Sequence, residues 1–513
     1  MPGTYKRQVV VYDDFTAGEY GSLGAWNAPK GSFTGRNVVR YVDGSLGPRN
    51  GLKALTVTGL GATWMGSRMG LDPSGNLWFQ VGTNVYKIDG TDTASQAATL
   101  IGDAGVALNQ AVQVGSTYVY AITSGSGIKR LDFTTPAVTS VASSPNGEYL
   151  IQYGERTLAA GDPSQPQRLY YSDAGDPESW PASNFIDVGT GTNIKAMLVL
   201  RSGVAIYTVA SVFSGIDGRW WILTGVPGVN DSLREVLRAT QGPSSDADAC
   251  LSGNGQVVFA ASKSEVIGSF DGSNVRLLRH LPLGTPPLVD VRSATSLREE
   301  SDVLVLGETT SVASSCVGYV RRDGTWTYHT FAEANVGRSI TTRDGTLPSD
   351  IANVSRAQNL VFFANDDAAP PVFYMWSAYN DRPPFSTDYS ASILNPANVY
   401  FTLPEWWARD VEEVAVRKVI VQFRDWDTDD SDANQFDVTV TPLRQYEGGA
   451  GSAQTKSFSR ATSASVAAGT NLRREWNFSQ DWGNGFTVGI ANMRGVAIQK
   501  IQVALDVRAM QAV

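Results

Sequence analysis

Four carboxylates stand close together in one stretch of the chain, at Asp173, Asp176, Glu178 and Asp187. Two carboxylates are the minimum for glycoside hydrolysis, in which one protonates the leaving oxygen and the other acts as nucleophile or base. The sequence does not fix the separation of these four groups, and the partners that a catalytic pair needs are missing beside them. We therefore expect an ordinary strand, loop and strand here, with hydrolysis as the less favoured alternative.

A second acidic cluster, residues 425–432, could offer hard oxygen ligands to calcium. Its spacing resembles the start of a calcium-binding loop. However, Asp430 stands at the sixth position, where glycine is expected, and Phe436 stands at the twelfth in place of a bidentate glutamate. We expect a solvated hairpin tip rather than a metal site.

Cysteine and histidine are too scarce for a zinc site or a disulfide framework. The chain has two of each: Cys250, Cys316, His280 and His329. We expect two separate buried thiols, with a disulfide or a metal contact as the alternative. Neither a Gly-x-Ser-x-Gly elbow nor a Gly-x-x-x-x-Gly-Lys loop is present in the sequence. The sequence therefore predicts no catalytic, cofactor-binding or metal-binding residues, no cofactor, and no enzyme.

Composition suits a protein that is built from many short strands. The 513 residues include 51 Gly and 23 Pro, and 42% are hydrophobic, a balance that favours strands joined by tight turns. The 41 basic and 50 acidic side chains leave a net charge of −9. This charge argues against a chain that grips phosphate through clustered Lys and Arg. The length allows two or three domains.

No targeting or membrane segment is expected. The apolar run at the N-terminus is limited to residues 9–11, which is too short for a signal peptide. The most apolar region, residues 193–213, is interrupted by Lys195 and Arg201. It therefore favours two buried strands over a membrane-spanning helix.

One pattern recurs seven times from residue 77 onward: an apolar strand, a short polar turn, a second strand and usually Asp-Gly or a single Asp. The copies begin at residues 77, 118, 157, 204, 257, 303 and 360. Intervals of roughly 40 to 57 residues fall in or near the range of four-stranded propeller blades. Radial stacking of such sheets covers both faces of each one. We therefore predict an all-β chain with a β-propeller of six or seven blades.

The blade pattern ends near residues 380–398, which predicts a domain boundary. We expect an N-terminal arm and edge strand over residues 1–60, the propeller over 61–397 and a C-terminal β-sandwich over 398–513. Alternation with period two at residues 436–441 supports the sandwich. Four tryptophans are expected in its core or in an interface: Trp406, Trp407, Trp476 and Trp482.

The block of residues 44–51 has the composition of a turn, and residues 52–57 can supply a strand after it. We predict that this strand closes the propeller against the last blade. Arg49, inside the turn block, is expected to be a solvated charge.

The most distinctive stretch is residues 169–188. Residues 169–171 favour a strand, and residues 175–177 favour a tight turn. Trp180 and Pro181 then form a bulky cap that stops further pairing, and the sheet resumes at residues 185–188.

Residues 170–189, YYSDAGDPESWPASNFIDVG, resemble a segment of the bacteriophage virion proteins that build the tail tube or nozzle of short-tailed phages. The block GSLGPRNGLKAL at residues 44–55 resembles the opening portion of these proteins, and the strand-rich last hundred or so residues resemble their closing domain. The matching motifs are structural patterns rather than catalytic signatures.

This resemblance implies a structural virion protein, located in the tail, that forms a ring of six copies below the portal. The ring would be the nozzle through which duplex DNA leaves, with an adaptor protein above it and tail fibres or a spike attached to it. The alternative functions are a glycan-binding propeller, with exposed Trp and Tyr stacked on sugars, and a depolymerase of a phage tail.

Overall fold

The computed structural model describes most of the chain, with gaps. The described residues are 6–15, 18–19, 32–41, 43–49, 53–60, 65–88, 95–210, 218–238, 242–243, 249–251, 256–260, 266–280, 288–296, 303–309, 316–322, 325–330, 336–345, 358–365, 372–377, 399–408, 412–425, 436–444, 449–458 and 470–509. They contain 43 β-strands and no helix. Within these ranges there is accordingly no helix of the length and apolarity that a bilayer crossing requires.

Six strands precede residue 60. They are β1 (Lys6–Tyr12), β2 (Gly18–Glu19), β3 (Ser32–Arg36), β4 (Val38–Arg40), β5 (Leu46–Pro48) and β6 (Lys53–Thr58).

The central part of the chain supplies the next 28 strands. The first thirteen are β7 (Met65–Leu71), β8 (Leu77–Val81), β9 (Asn84–Ile88), β10 (Ser95–Ala97), β11 (Thr99–Asp103), β12 (Ala111–Val114), β13 (Tyr118–Ile122), β14 (Ile128–Asp132), β15 (Ala137–Ser140), β16 (Tyr149–Tyr153), β17 (Arg156–Ala160), β18 (Arg168–Tyr171) and β19 (Phe185–Asp187). The other fifteen are β20 (Thr192–Leu200), β21 (Gly203–Ala210), β22 (Gly218–Thr224), β23 (Ser232–Arg238), β24 (Ala249–Leu251), β25 (Val257–Ala260), β26 (Val266–Phe270), β27 (Val275–His280), β28 (Leu288–Ser296), β29 (Val303–Thr309), β30 (Cys316–Arg322), β31 (Thr325–Thr330), β32 (Val336–Gly345), β33 (Gln358–Asn365) and β34 (Val372–Ser377).

Nine strands complete the chain. They are β35 (Tyr400–Thr402), β36 (Trp406–Trp407), β37 (Glu412–Asp425), β38 (Phe436–Arg444), β39 (Gly449–Ala450), β40 (Gln454–Phe458), β41 (Thr470–Asn477), β42 (Gly485–Ala491) and β43 (Val496–Ala509).

The central strands form seven blades, which we number in chain order. Blades one to six are the sheets β7-β8-β9-β11, β12-β13-β14-β15, β16-β17-β18-β19, β20-β21-β22-β23, β24-β25-β26-β27 and β28-β29-β30-β31, and blade seven is β32-β33-β34-β6. From blade two onward the first strand of each blade lies beside the first strand of the next, and β32 lies beside β7. The described sheets therefore form a closed seven-bladed β-propeller.

Ring closure uses a strand from the N-terminal part of the chain, as predicted for residues 52–57. Strand β6 pairs antiparallel with β34 of blade seven, with Leu55 opposite Phe373. On its other side β6 pairs in parallel with β10. Strand β10 comes between β9 and β11 in the sequence, but it belongs to the sheet of β6 and not to the sheet of blade one. The Ala98 amide also donates to the Thr58 carbonyl at 2.9 Å. The closing strand is thus held from both sides, and β10 ties it back to the first blade.

Apolar side chains fill the spaces between blades. In blade one, all five residues of β8 are buried, because this strand is covered on both faces. Trp78 packs in the cluster shared with blade two, whereas Phe79 packs in the cluster shared with blade seven. The Phe79 and Phe373 rings lie 4.4 Å apart between centroids. Side-chain packing therefore joins the last blade to the first, in addition to the backbone pairing of β6.

The seven predicted repeats fall on the second strands of the seven blades: β8, β13, β17, β21, β25, β29 and β33. Each predicted unit therefore starts one strand later than the blade itself. Some first and last strands carry a weaker signal because few of their residues are buried. In β12, for example, no residue is fully buried, and β23 alternates exposed and half-buried residues for much of its length.

The remaining strands form two larger sheets. One has the order β4-β5-β43-β37-β41, with β1 also paired to β43; the other has the order β2-β3-β35-β42-β38-β39, with β36 on β42 and β40 on β38. A single hydrophobic core includes Val421 and Val503 from the first sheet and Val440 and Val488 from the second. The two sheets therefore pack face to face as a β-sandwich.

This sandwich contains strands from both ends of the chain. The region predicted as an N-terminal arm supplies β1 to β5 to the two sandwich sheets and β6 to the propeller. Strands β2, β3 and β4 also lie beside β31, the outer strand of blade six. The propeller is therefore inserted between β5 and β35 of the sandwich. The predicted boundaries at residues 60 and 397 stay predictions.

The expectation that Arg49 is a solvated turn charge is wrong. Its residue surface is 1% exposed, and its Nε donates to Asn37 Oδ1 at 3.0 Å. The Arg49 amide donates to the Asn37 carbonyl at 3.0 Å. Arg49 is buried because β4 and β5 fold into a hairpin that brings its side chain against Asn37.

Replacement of Phe373 by alanine tests the ring closure. Phe373 is fully buried between β6 and the Phe79 ring, so Phe373→Ala should cost about 3–5 kcal/mol of stability. Hydrogen exchange of the β6 amides should become faster. The matched control is Tyr400→Ala, at an exposed position. Unchanged exchange in residues 53–58 of Phe373→Ala would contradict the role assigned to this contact.

Candidate functional site: the clamp between blades two and three

The distinctive stretch at residues 169–188 forms the outer part of blade three. Strands β18 and β19 are joined by a loop over residues 172–184. Within it, the Asp173 amide donates to the Ser179 carbonyl at 2.9 Å and the Asp176 amide to the Asp173 carbonyl at 3.3 Å. Gly175 adopts a positive φ of 74°, a conformation that glycine reaches without strain. The loop is therefore a compact turn fixed by its own hydrogen bonds.

The four carboxylates of this stretch each make a local contact. Ser179 Oγ donates to Asp173 Oδ2 at 2.6 Å, and the Glu178 amide donates to Asp176 Oδ1 at 2.9 Å. Asp187 lies 3.4 Å from Arg168 Nε. In this arrangement the carboxylates support the loop and the neighbouring strands.

Trp180 is the centre of the loop. Its residue surface is 7% exposed, and its Nε1 donates to the Pro177 carbonyl at 2.8 Å. The ring packs in one cluster with Tyr120 and Ile128 of blade two and Leu150 of blade three. The bulky cap predicted from the sequence is therefore a plug between two blades.

Glu178 makes the polar part of the contact with blade two. Its Oε1 accepts hydrogen bonds from Tyr120 Oη at 3.1 Å and from Arg130 at 2.8 Å. The Arg130 guanidinium also lies over the Tyr118 ring, 4.9 Å from its centroid. We call the group of Glu178, Trp180, Tyr118, Tyr120 and Arg130 the clamp, because it holds the loop of blade three against blade two.

Electrostatic interactions in the clamp keep Tyr120 and Arg130 protonated. Burial, and then the hydrogen bond to Glu178, raise the pKa of Tyr120 well above its ordinary value. The hydrogen bond to Glu178 also raises the pKa of Arg130. Tyr120 and Arg130 therefore stay donors at neutral pH, and Glu178 serves both of them as acceptor. Such a group is suited to holding two blades together.

The cysteines and histidines of the chain lie on four different strands. Cys250 lies on β24 and Cys316 on β30, in different blades, and His280 and His329 end up on β27 and β31. No group of three or more His, Cys, Asp or Glu that could hold a metal is found in the described ranges. Of the acidic run at 425–432, Asp425 ends β37 and the rest lies outside the described residues.

Of the four tryptophans expected in the sandwich core or an interface, two lie against the core, and for Trp407 and Trp482 the expectation stays a prediction. Trp406 and Trp476 pack against the sandwich core. Trp407 is half-buried on β36. Trp482 is half-buried, with the guanidinium groups of Arg417 and Arg508 over its ring at 5.4 Å and 4.1 Å.

Sequence reasoning missed Tyr118, Tyr120 and Arg130. The two tyrosines stand two residues apart on β13 and so share one face, and Tyr120 lies opposite Arg130 in the pairing of β13 with β14. Such a pattern could have indicated a polar face on blade two. Its partner Glu178 is 48 residues further along the chain than Arg130, so nothing local could have joined them.

No protein-family model matches the chain, and no curated protein matches it. Among solved structures, the chain is similar to the RRP9 WD40 repeats (TM-score 0.43, 9% identity, covering 64% of this chain and 97% of that chain). It is also similar to virginiamycin B lyase from Staphylococcus aureus (TM-score 0.43, 10% identity, 63% and 98%) and to a chain of the mitotic checkpoint complex (TM-score 0.45, 7% identity, 65% and 93%). Values of this size carry no argument about function, and the propeller fold is established by the strand pairing itself.

Loss of the Trp180 side chain should loosen the two blades. Trp180→Ala leaves a cavity in the cluster between them, at a cost of about 3–5 kcal/mol. Hydrogen exchange should rise in β13, β14 and the loop at 172–184. The neighbouring exposed residue offers a matched control, since Pro181→Ala should change stability by less than about 0.5 kcal/mol. Equal protection of β13 in the two variants would rule out a plug at Trp180.

Alkaline pH should weaken the clamp. Folding favours protonated Tyr120, so this contribution to stability is complete below the ordinary tyrosine pKa of 10.0 and is lost as the pH rises above it. Burial raises the pKa of Tyr207 to about 12, which adds a second loss of the same sign. The thermal midpoint should fall as the pH rises from 10 to 12, and less steeply in Tyr120→Phe. A fall as steep in Tyr120→Phe as in the wild type would refute this origin.

Proposed function

We propose that this protein is a structural component of a bacteriophage virion, and that it forms the ring-shaped tail nozzle through which the genome leaves. The observation that carries the proposal is the use of the stretch at residues 170–189. This stretch resembles tail nozzle proteins, and here it makes the clamp between two blades. All its carboxylates take part in contacts that fix the loop or join it to neighbouring strands, which suits a structural role.

Two further features support a structural role in the wall of a channel. The closing strand of the propeller is paired on both sides, which resists opening of the ring of blades. The net charge of −9 would give a channel that repels DNA weakly and lets it slide. In the proposed assembly six copies surround the channel in the virion tail, an adaptor protein joins from above, and tail fibres or a spike attach around or below.

The alternative is a glycan-binding or depolymerising propeller of a phage tail. It is less well supported, because the aromatic side chains around the clamp point into the space between blades. Trp180 is buried there, and Tyr118 and Tyr170 are half-buried in the same cluster. Few of these ring faces are left to stack on a sugar.

Electron microscopy of the purified protein tests the proposal. Two-dimensional averages should contain rings of six copies with an axial opening wide enough for duplex DNA. The same preparation is incubated with host polysaccharide, beside an Asp173→Asn variant as control. A single subunit that retains or cleaves polysaccharide, with cleavage lost in Asp173→Asn, would replace the nozzle by the alternative.

A further inference from the structure

Among the described residues, β1 is an edge strand of its sheet. It pairs with β43 along its whole length, from Lys6 opposite Val507 to Tyr12 opposite Ile501. On its other side it has no partner strand among the described residues. The first four residues of β1 are exposed, and the surface of Val9 is 58% exposed. An exposed edge of this kind is a template for pairing with another strand.

Several other outer strands of the sandwich contact neighbouring elements. Strands β2, β3 and β4 lie beside β31 of the propeller. At the opposite side, Gln454 exchanges hydrogen bonds with the backbone of Ser479 at 3.0 and 3.2 Å, and the Arg474 guanidinium lies over the Phe458 ring at 5.2 Å. Strand β1 offers an edge at which the described sandwich can be extended.

The sequence around β1 is complementary to itself in the antiparallel sense. Residues 6–14 read Lys-Arg-Gln-Val-Val-Val-Tyr-Asp-Asp. When two copies pair antiparallel about Val10, Lys6 of each copy lies opposite Asp14 of the other. Arg7 lies opposite Asp13 in the same way. Opposite charges in such cross-strand pairs are stabilising, and like charges are destabilising.

The apolar middle fits the same register. Val10 meets Val10 at the centre, and Val9 meets Val11 on either side of it. Each pair joins two even-numbered or two odd-numbered residues, whose side chains lie on the same face of the strand. Each face of one sandwich sheet therefore continues into the corresponding face of the other. Val10 and Tyr12 are only partly buried against the sandwich core, and a neighbouring strand would cover them further.

The charged side chains at both ends of this segment lie at the surface. Neither Lys6 nor Arg7 forms an ion pair with another described residue. Asp13 and Asp14 are exposed, and Asp13 lies 3.4 Å from Lys500 in a surface pair. Exposed pairs of this kind are worth about 0–1 kcal/mol, so Asp13 can exchange its partner at little cost. Edge charges that prevent pairing would repel a second copy. The charges at the two ends of this segment are instead complementary to those of a second copy.

We propose that β1 pairs antiparallel with β1 of a second copy of this chain, about a two-fold axis at Val10. The two sandwich sheets then form one continuous sheet, which is an isologous contact. This contact does not depend on the proposed nozzle function, since a two-fold contact cannot by itself close a six-fold ring. It joins two free subunits, or one ring to another.

A charge exchange between two variants tests the pairing. Variant one carries Lys6→Glu and Arg7→Glu; variant two carries Asp13→Lys and Asp14→Lys. Alone, each variant places like charges opposite each other, so its self-association should be at least about tenfold weaker than that of the wild type. Mixed together, the two variants place opposite charges together at both ends. Sedimentation velocity and native mass spectrometry of the full-length chains should then show mixed pairs, which weaken with salt.

The control matches variant one in net charge. Lys456→Glu with Arg473→Glu alters two exposed residues of the sandwich away from β1 and should associate as the wild type does. If a double variant loses its β-sheet circular dichroism signal, the same association and mixing measurements are made with the single variants Arg7→Glu and Asp13→Lys. The proposal is overturned if the variants associate as the wild type does, or if mixing them restores no pairs. Rings of six in electron micrographs bear only on the nozzle.

Discussion

Backbone pairing between β6 and β34 is the constraint on which the propeller depends. A row of seven twisted sheets has two exposed ends, and each end would leave an apolar face in water. Strand β6 removes both ends, because it is the outer strand of the last blade and is covalently joined to the first. Strand β10 then holds β6 from the other side. The described interblade clusters run from blade seven through blades one to five, and the link from seven to one exists because these strands meet.

The same N-terminal segment connects the ring to the sandwich. Strands β1, β4 and β5 need β43 or its neighbours as partners, and β43 is the last strand of the chain. The sandwich is thus completed by strands that lie almost the whole chain apart, while the propeller is inserted between them. Long-range pairing of this kind forms late, because the loop entropy must be overcome before its contacts are gained. Closure of the ring and completion of the sandwich are therefore linked through the short segment around Arg49.

The clamp shows how an interface between blades becomes specific. Apolar packing around Trp180 supplies most of the contact, but it is non-directional. Glu178 adds direction, since a carboxylate that accepts from both Tyr120 and Arg130 fits only one relative position of the two blades. The same principle accounts for Asp173, whose two oxygens fix the loop through Ser179 and Asn184. Carboxylates that looked like candidates for catalysis in the sequence are thus used to position backbone.

The sequence by itself determined the second strand of each blade, because several of these strands are strongly apolar, as in residues 77–81 and 257–260. It also determined the closing strand and the plug at Trp180, because both stand beside strong turn residues. Only the tertiary structure decided that β1 to β5 belong to the sandwich, that Arg49 is buried, and that Glu178 faces Tyr120 and Arg130. Each of these depends on residues far apart in the chain, and local patterns of burial and turn chemistry carry no record of which distant strand becomes the neighbour.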